Sequence, residues 1–202
     1  MRTTRGLLIE LAEVAALALI LYFAITFALQ TVHVIGSSMY PTVQDQDYLI
    51  ALKLPYRFHA PERGDIIIMR SPYNPSQDFI KRVVGVPGDQ ILIRDGHTYV
   101  NGHQLCEPYL RPGVDGVWTN DANWPSSGQA VRLGSDEYFV MGDNRNGSSD
   151  SRVFGPVRQN QIEAQGWLRV LPLNRFGVIG TDRPYVTNGA PASAGSASAA
   201  AC

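Results

Sequence analysis

Residues 78–89 read DFIKRVVGVPGD, and this stretch decides the kind of fold that the sequence predicts. The run from Phe79 to Val86 is rich in apolar and β-branched residues, and Pro87-Gly88-Asp89 places a tight turn directly after it. This pattern is typical of a strand inside a sheet. Further strands bounded by Gly, Pro or Asp are predicted at residues 47–54, 65–69, 90–94, 97–100 and 137–141.

The composition favours a mainly β domain and excludes several functional classes. The chain has 202 residues, enough for one medium domain with appendages. Its 17 basic and 18 acidic residues give a net charge of −1, which excludes the strongly basic surface of a nucleic-acid-binding domain. Two cysteines, Cys106 and Cys202, are too few for a disulfide scaffold or a cysteine-rich metal site. We expect no disulfide between them, because Cys106 has no neighbouring cysteine and Cys202 ends a low-complexity tail.

The first thirty residues predict a membrane anchor. Residues 6–29 read GLLIELAEVAALALILYFAITFAL, an apolar run long enough to cross a bilayer as a helix. Glu10 and Glu13 lie in its first turns, where they can stay at the level of the lipid headgroups. Arg2 and Arg5 precede the run and the next basic residue is Lys53, so the positive-inside rule predicts a cytoplasmic N-terminus and an outward-facing remainder.

A cleaved secretory signal peptide is the alternative for this segment. The apolar run is longer than the core of a signal peptide, contains two acidic residues, and is followed by no convincing cleavage site. A buried amphipathic helix fits less well, because residues 14–29 are apolar on every side. We therefore expect an anchor that stays attached.

These patterns divide the chain into three parts. We expect the N-terminus and anchor over residues 1–31 and a β-rich catalytic domain over residues 32–180. Within that domain, residues 107–136 are predicted as an extension rich in Pro, Gly, Asn and Trp, and residues 156–164 as one short helix. Residues 181–202 are dominated at their end by Ala, Ser, Gly and Pro, which can bury little surface, so we expect a disordered tail.

The lysines carry the first chemical signal. The chain contains fifteen arginines but only two lysines, Lys53 and Lys81. A lysine can lose its proton in a desolvated site, whereas an arginine effectively cannot. Lys81 lies among apolar strand residues, where burial would lower its pKa and make it a candidate general base. The alternative is that strand alternation points Lys81 to solvent beside Arg82; for Lys53, a surface position is the only interpretation.

A nucleophile for such a base is available in residues 36–42, GSSMYPT, soon after the predicted anchor. Gly36 and Pro41 predict an irregular turn that could hold Ser38 rigidly. Tyr40 replaces the second glycine of a G-x-S-x-G nucleophile elbow, and the S-x-x-K spacing of the β-lactamases is absent. Without a partner elsewhere in the chain, such a segment is usually an ordinary turn.

A third polar cluster occupies residues 141–152, MGDNRNGSSDSR. Asp143 and Asp150 stand close to Arg145 and Arg152, so ion pairs between carboxylates and guanidinium groups are expected. A calcium loop is the alternative, but the spacing of an EF-hand is missing.

Together, the three clusters resemble the type I signal peptidases, the membrane-bound Ser–Lys proteases that remove signal peptides from exported proteins. The resemblance runs from the anchor to about Phe176. It is carried, in the family's order, by SMYPT at residues 38–42, RGDI at 63–66, KRVVGVPGD at 81–89, GDNR at 142–145 and DSR at 150–152. The β-rich catalytic domain that the family implies agrees with the predicted strands.

The resemblance assigns roles to particular positions of this chain. It implies Ser38 as the nucleophile, Lys81 as the general base, and the Ser148 hydroxyl as the group that orients the lysine amine. It also implies that Asp150, paired with Arg145 or Arg152, supports the loop.

Two positions depart from the family's pattern. Gly36 stands where some relatives carry a serine whose hydroxyl completes the oxyanion hole, so we expect the hole to rely on the Ser38 backbone N–H. Asn146 stands where many members carry Asp, which leaves the detailed pattern of ion pairs open.

The resemblance also implies what the protein acts on and where. Its substrates would be signal peptides of exported pre-proteins, with small residues at the first and third positions before the cut. A substrate strand is expected to pair with the edges at Ile35 and at Asp78, Phe79 and Ile80. The expected location is the cell membrane, with a single span, a cytoplasmic N-terminus and the catalytic domain on the outer face. We expect a monomer that contacts the lipid bilayer, needs no metal or organic cofactor, and binds no nucleic acid.

Other functions remain open at this point. A membrane-anchored binding domain with a lapsed Ser–Lys pair would fold without hydrolysing a signal peptide, and a Ser–Lys protease that cuts only itself would not process added precursor. A Ser-His-Asp triad is a further alternative, although the histidines are scattered over predicted strands and loops: His33, His59, His97 and His103.

Overall fold

The computed structural model describes residues 4–110, 124–125 and 128–186, and within them the fold is mainly β, as predicted. Its helices are α1 (Thr4–Ala28), α2 (Pro55–Phe58) and α3 (Ser151–Phe154). Its strands are β1 (Leu29–His33), β2 (Tyr48–Leu52), β3 (Ile66–Arg70), β4 (Asp78–Gly85), β5 (Gln90–Arg94), β6 (His97–Val100), β7 (His103–Cys106), β8 (Val131–Arg132), β9 (Glu137–Met141), β10 (Val157–Arg158), β11 (Ile162–Leu171), β12 (Gly177–Val178) and β13 (Tyr185–Val186).

The N-terminal helix has the dimensions of a membrane span. Its stretch Leu8–Ala28 has 21 residues with a mean hydropathy of 2.2, and none of it is buried against the rest of the protein. Helix α1 passes directly into β1. The junction is held by the Lys53 N–H, which donates to the Ala28 carbonyl at 2.9 Å, and by the Arg57 guanidinium, which lies 4.5 Å from the centre of the Phe27 ring.

A large antiparallel sheet holds the centre of the domain. Its strands lie in the order β1-β2-β11-β3-β4-β9-β10, with β12 paired to β11. Strand β3 is covered on both faces, since Ile66, Ile67, Ile68 and Met69 are all buried. Strand β4 pairs with β3 on one side and with β9 on the other. The sequence stretch that predicted the fold therefore lies inside the sheet.

A smaller sheet follows, in the order β13-β7-β6-β5-β8. Asp-Gly and Asn-Gly pairs form its two central turns: φ is 51° at Asp95 and 72° at Gly96, and 54° at Asn101 and 83° at Gly102. Two consecutive positive φ angles are the mark of a type I′ turn, which Asn-Gly and Asp-Gly pairs favour. The small sheet packs on the large one through a cluster that includes Val84 and Phe139 from the large sheet and Ile91, Val100 and Leu105 from the small one.

The helix predicted at residues 156–164 is wrong. Val157–Arg158 forms strand β10, Gln159–Gln161 makes one 3₁₀ turn, and β11 begins at Ile162. The buried residues explain this, because Ile162 and Ala164 are both buried at a spacing of two, which is the period of a strand.

The C-terminal part of the domain also differs from the prediction. Strand β13 pairs with β7, so the chain stays on the domain beyond residue 181, where the tail was expected to begin; residues 187–202 lie outside the described residues. In this pairing Tyr185 is the direct neighbour of Cys106. Cys106 is disulfide-bonded, which corrects the expectation of no disulfide. That expectation considered distance along the sequence, whereas β13 returns the C-terminal chain to Cys106; the other cysteine, Cys202, lies outside the described residues.

The predicted extension is partly described. Residues 111–123 and 126–127 lie outside the described residues. At its two ends, Tyr109 is buried and Leu133 belongs to the core cluster between the sheets. Trp124 stacks on Phe139 with 5.4 Å between the ring centres. The described parts of this segment therefore contribute to the core of the domain.

Candidate active site

The structure brings the Ser38 and Lys81 side chains into contact. Ser38 lies in the turn that follows β1, and Lys81 lies in β4. The Lys81 Nζ is 3.0 Å from the Ser38 Oγ, and it donates a second hydrogen bond to the Ile80 carbonyl at 2.9 Å. A hydroxyl at this distance from an amine can transfer its proton directly, which is the geometry that an activated nucleophile requires.

Burial of Lys81 makes it a competent base. The residue is 3% exposed, and burial lowers the pKa of its ammonium to about 8. The negative charges of Asp150 and Asp143 oppose this lowering, whereas the positive charge of Arg152 adds to it. A substantial fraction of the amine is therefore neutral near pH 8, which is the form that accepts a proton.

Both faces of β4 are covered, which decides between the two interpretations of Lys81. The next residue, Arg82, points to the other side of the sheet and is 1% exposed. Its guanidinium makes a bidentate ion pair with Asp143 at 2.9 and 2.7 Å, and Asp143 also accepts a hydrogen bond from the Thr42 hydroxyl at 2.5 Å. Lys81 therefore does not point to solvent, and the ion pair links β4 to the segment that carries Ser38.

A glycine lets the loop of residues 142–152 approach the nucleophile. A Cβ on Gly142 would lie 2.5 Å from the Ser148 Cβ, and closer still to the Ser148 Oγ and the Ser38 carbonyl oxygen. The next turn of the loop is tied to the same carbonyl, since the Asn144 N–H donates to it at 3.0 Å. Any side chain at position 142 would push these two segments apart.

The ion pairs of this loop are more specific than the sequence could show. Asp150 accepts two hydrogen bonds from the Arg152 guanidinium, both at 2.8 Å, and one from the Gly142 N–H at 2.9 Å. Burial acts to raise the pKa of the Asp150 carboxyl, but the hydrogen bonds and charge of Arg152 outweigh it and hold that pKa below its ordinary value. Arg145 does not pair with Asp150. Its guanidinium binds Glu107, and its Nε donates to the Gly142 carbonyl at 3.1 Å.

Ser148 lies beside the nucleophile but does not orient the lysine as expected. Its Oγ is buried and makes no hydrogen bond among the described residues. It is close enough to the Asp150 carboxylate to favour the charged form, without the geometry of a hydrogen bond. In this structure the carbonyl of Ile80 holds the Lys81 amine instead. A buried hydroxyl without a hydrogen-bond partner is costly in free energy.

A cleft of about 650 Å³ leads to the Ser38–Lys81 pair. One wall is β1 with the residues that follow it, and the other is the first half of β4. The cleft brings together all four residues expected to contact a substrate, Ile35, Asp78, Phe79 and Ile80. Ile35 is 82% exposed, an unusual position for an isoleucine without a bound partner.

The expected oxyanion donor is available. Within the described residues, the Ser38 N–H donates no hydrogen bond in the folded protein. Gly36 has a φ of 102°, in the region that favours glycine, and its N–H donates to Asp45 at 2.7 Å. Position 36 therefore offers no hydroxyl to the site, and its amide is engaged elsewhere.

The histidines lie away from this chemistry. His33 lines the cleft, but its ring stacks on Tyr48 with 4.5 Å between the ring centres, and its Nε2 is 2.9 Å from the Gln46 side-chain oxygen. Among the described residues, no group of three His, Cys, Asp or Glu side chains is placed to hold a metal ion. The partner of Ser38 is Lys81.

Sequence reasoning missed several residues that shape the site. Glu107 lies in the predicted extension, and nothing in its neighbourhood indicates that it would pair with Arg145 across 38 positions of the chain. Gln30 lies at the start of β1, where its side-chain amide donates to Asp78 at 3.3 Å. Gly142 belongs to the GDNR motif, but its steric role depends on how Ser38 and Ser148 pack against it, which the motif does not record.

Comparison with known proteins identifies the family of this chain. The family model described as "Signal peptidase, peptidase S26" matches residues 8–171. A signal peptidase I of Leptolyngbya laminosa is 33% identical over 186 residues, which cover 88% of this chain and 87% of that protein. A probable signal peptidase I-2 of Synechocystis is 35% identical and covers 86% of this chain and 78% of its own.

Further relatives come from other bacteria. A signal peptidase I of Bacillus caldolyticus is 40% identical over 145 residues, covering 70% of this chain and 79% of its own. The crystal structure of a signal peptidase I from Enterococcus faecalis is 36% identical, with a TM-score of 0.42 and coverage of 53% of this chain and 97% of that one. From the family match and the identities of its relatives, we conclude that this chain belongs to the signal peptidase family, peptidase S26, as a serine endopeptidase of the signal peptidase I type.

Proposed function

We propose that this protein is a membrane-anchored endopeptidase that removes signal peptides from exported pre-proteins through a Ser38–Lys81 dyad. The observation that carries the proposal is the 3.0 Å contact between the Ser38 Oγ and the buried Lys81 Nζ. No other titratable side chain lies within hydrogen-bond distance of this hydroxyl among the described residues.

The first half of the reaction is acylation. Neutral Lys81 takes the Ser38 proton as the Oγ attacks the carbonyl carbon of the scissile bond. The Ser38 N–H stabilises the oxyanion that forms. As the C–N bond breaks, the Lys81 ammonium gives its proton to the leaving amine, and the signal peptide stays esterified to Ser38.

The second half is hydrolysis of that ester. Lys81 is neutral again and takes a proton from a water molecule, which attacks the ester carbonyl. The proton returns to the Ser38 Oγ as the acyl group leaves. Every proton moved in the two steps is supplied and accepted by Ser38, Lys81, the leaving amine or water. The proposed reaction therefore uses no metal or organic cofactor.

Substrate binding is proposed to occur by strand addition in the cleft. A strand inserted between β1 and the first half of β4 would gain main-chain hydrogen bonds there, while pockets between the side chains select its residues. Ile35 and Ile80 line the cleft near the dyad. Branched apolar walls beside the scissile bond favour small side chains, typically Ala, at the first and third positions before the cut.

The buried ion pairs are proposed to hold this geometry. Asp150 and Arg152 shape the loop that carries Ser148, and Arg145 fixes the carbonyl of Gly142. Rotation of the Ser148 side chain toward Lys81 would give its hydroxyl a partner and orient the amine. These are positioning residues, since none of them touches the reacting atoms.

The membrane topology completes the proposal. Helix α1 is proposed to cross the cell membrane once, with the N-terminus in the cytoplasm and the domain from residue 32 to 180 on the outer face. Its support is the apolar stretch Leu8–Ala28, which is not buried against the rest of the protein, and the basic residues that precede it. We propose a monomer, because the nucleophile and the base come from one chain.

The test is cleavage of a precursor by the purified full-length enzyme in detergent micelles. Ser38→Ala and Lys81→Arg should each abolish cleavage while the protein still folds, as judged by circular dichroism. Lys53→Arg is the matched control, because it makes the same change at the chain's other lysine, and should cleave normally. Retained activity in Lys81→Arg would refute the neutral-amine mechanism.

The same experiment separates the alternatives. A folded wild-type protein that cleaves no precursor would favour a binding domain with a lapsed dyad. Loss of only its own termini, with added precursor left intact, would favour a self-cleaving protease. Processing of precursor added in trans supports the proposal.

A further inference from the structure

The cleft has a polar contact at each end. At one end the Ser38 hydroxyl meets the Lys81 amine at 3.0 Å. At the other end the Gln30 side-chain amide donates to the Asp78 carboxylate at 3.3 Å. Gln30 precedes Ser38 along one wall, and Asp78 precedes Lys81 along the other, so both walls run in the same direction from the second contact to the dyad.

The spacing of the two contacts indicates which substrate residue meets Asp78. Asp78 is three positions before Lys81 in β4, which corresponds to about 10 Å at the rise of a strand. A substrate strand with its scissile carbonyl at Ser38 would run back between the same walls with the same rise. The fourth residue before the cut therefore reaches the contact between Gln30 and Asp78.

The charges around this end of the cleft are predominantly negative. Of the residues that line the cleft, Asp78 alone carries a carboxylate; the other titratable groups are His33, three positions after Gln30 in β1, and Lys81 at the dyad. Outside the lining, Glu163 faces Asp78, and Arg70 is already ion-paired with Glu163 at 2.5 Å. Partial burial and the charge of Glu163 raise the pKa of Asp78, whereas the hydrogen bond from Gln30 and the charge of Arg70, its direct neighbour on β3, act to lower it; the net shift is upward.

We propose that Asp78 selects the side chain four positions before the cut, accepting a lysine, an arginine or an amide and disfavouring a carboxylate. The proposal rests on the proposed function and specifies its substrate class. Gln30 shows the kind of group that Asp78 accepts, namely an N–H donor. A substrate donor replaces the Gln30 amide as the partner of Asp78, whereas a substrate carboxylate would meet the like charge of Asp78, with the nearby Arg70 already paired to Glu163.

The experiment compares three signal-peptide substrates that differ only in the fourth residue before the cut, which is Lys, Gln or Glu. The value of kcat/KM is measured for the full-length enzyme in neutral detergent. We expect kcat/KM to fall in the order Lys, Gln, Glu, with the Lys substrate favoured over the Glu substrate about threefold to tenfold. This is the expected effect of gaining a partly exposed ion pair with Asp78 and of avoiding a contact between like charges. The ratio should fall in 1 M salt, where the screening length drops to about 3 Å.

Variants of Asp78 identify the source of the preference. Asp78→Asn should bring the Lys-to-Glu ratio close to one, and Asp78→Glu, which keeps the charge, should retain most of it. Asp95→Asn is the matched control, because Asp95 is exposed in the small sheet, away from the cleft, and should leave the ratio unchanged. Because each ratio is taken within one enzyme, a general loss of activity does not affect it.

The outcomes are distinct. Equal cleavage of the three substrates by the wild-type enzyme, or an unchanged ratio in Asp78→Asn, would overturn the role of Asp78 and leave the proposed function standing. If the wild-type enzyme cleaves none of the three, the proposed function fails and this inference fails with it. Moving the Lys/Glu pair to the sixth position should abolish the preference, and a preference that persists there would refute the register.

Discussion

Replacing Lys81 with methionine should stabilise the fold at neutral pH while abolishing activity. Burial lowers the pKa of Lys81 to about 8 from an ordinary value of 10.5. Each pKa unit corresponds to about 1.4 kcal/mol, so holding the charged lysine in the folded protein at pH 7 costs about 3 kcal/mol. Methionine has a similar length and no charge. It leaves the Ile80 carbonyl without its donor, which costs about 1 kcal/mol, so the net gain is about 2 kcal/mol.

The extra stability of Lys81→Met over the wild type should depend on pH between about 8 and 10.5. Below pH 8 the lysine is charged in both the folded and the unfolded chain, and its cost is fully present. Between pH 8 and 10.5 the folded protein binds fewer protons than the unfolded chain, so the stability of the wild type rises with pH. The advantage of Lys81→Met should therefore shrink by about 2 kcal/mol from pH 7 to pH 10.

Urea unfolding of the full-length protein in micelles, followed by tryptophan fluorescence, measures this difference. Lys53→Met is the matched control, because Lys53 is the chain's other lysine and is only half-buried near the end of α1; its replacement should not reproduce this change between pH 7 and pH 10. The reasoning would be refuted by a Lys81→Met variant whose stability relative to the wild type is the same at pH 7 and pH 10. It would also be refuted by a variant that is less stable than the wild type at pH 7.

Three further predictions concern the site. The kcat/KM should rise about tenfold per pH unit below pH 8 and level off above it, because only neutral Lys81 is a base; a flat profile from pH 6 to 9 would contradict this. Gly142→Ala should reduce kcat about a hundredfold by displacing the nucleophile, whereas Gly134→Ala, which meets only the flexible Glu137 side chain, should retain activity in the same assay. Glu107→Gln should lower the free energy of unfolding by about 3 kcal/mol, since it leaves the buried Arg145 charge without a counter-ion; an unchanged urea midpoint would count against it.

The reactive pair could be predicted from sequence because its signals are local. A lysine retained in an arginine-rich chain and placed in an apolar strand is a candidate for a neutral amine, with a solvent-facing lysine as the alternative. The serine turn and the Gly-Asp-Asn-Arg motif each carry short-range patterns of their own. Their meeting in space needed only the family's order of motifs.

The supporting contacts could not be predicted, because they join distant parts of the chain. The pairing of Arg145 with Glu107 spans 38 positions, and that of Gln30 with Asp78 spans 48. Hydrophobic periodicity and turn motifs do not predict such contacts, because the contacts depend on the tertiary arrangement of the strands. The sequence left Arg145 and Arg152 as equal candidates for Asp150, and only the coordinates assign Arg152.

The missed strands have a similar cause. Strand β11 runs for ten residues with Gly166 inside it and two register shifts against β2, which blur the alternation that would identify it. Strand β13 has two residues, and its pairing with β7 is visible only after the small sheet has formed. Residues with a tertiary role but a weak local pattern were therefore assigned to a helix or to the tail.

The direct passage from α1 into β1 has a consequence for how cleavage sites are chosen. With α1 in the bilayer, as proposed, the polypeptide that emerges from the lipid at Ala28 becomes one wall of the cleft without an intervening loop, and its attachment to Lys53 and Arg57 restrains the joint. The height of Ser38 above the lipid surface is then a constant of the molecule. Of several Ala-rich sites along one precursor, the enzyme would cut the one that lies at the same distance from the lipid surface as Ser38. The distance of a site from the membrane would then determine cleavage together with its sequence.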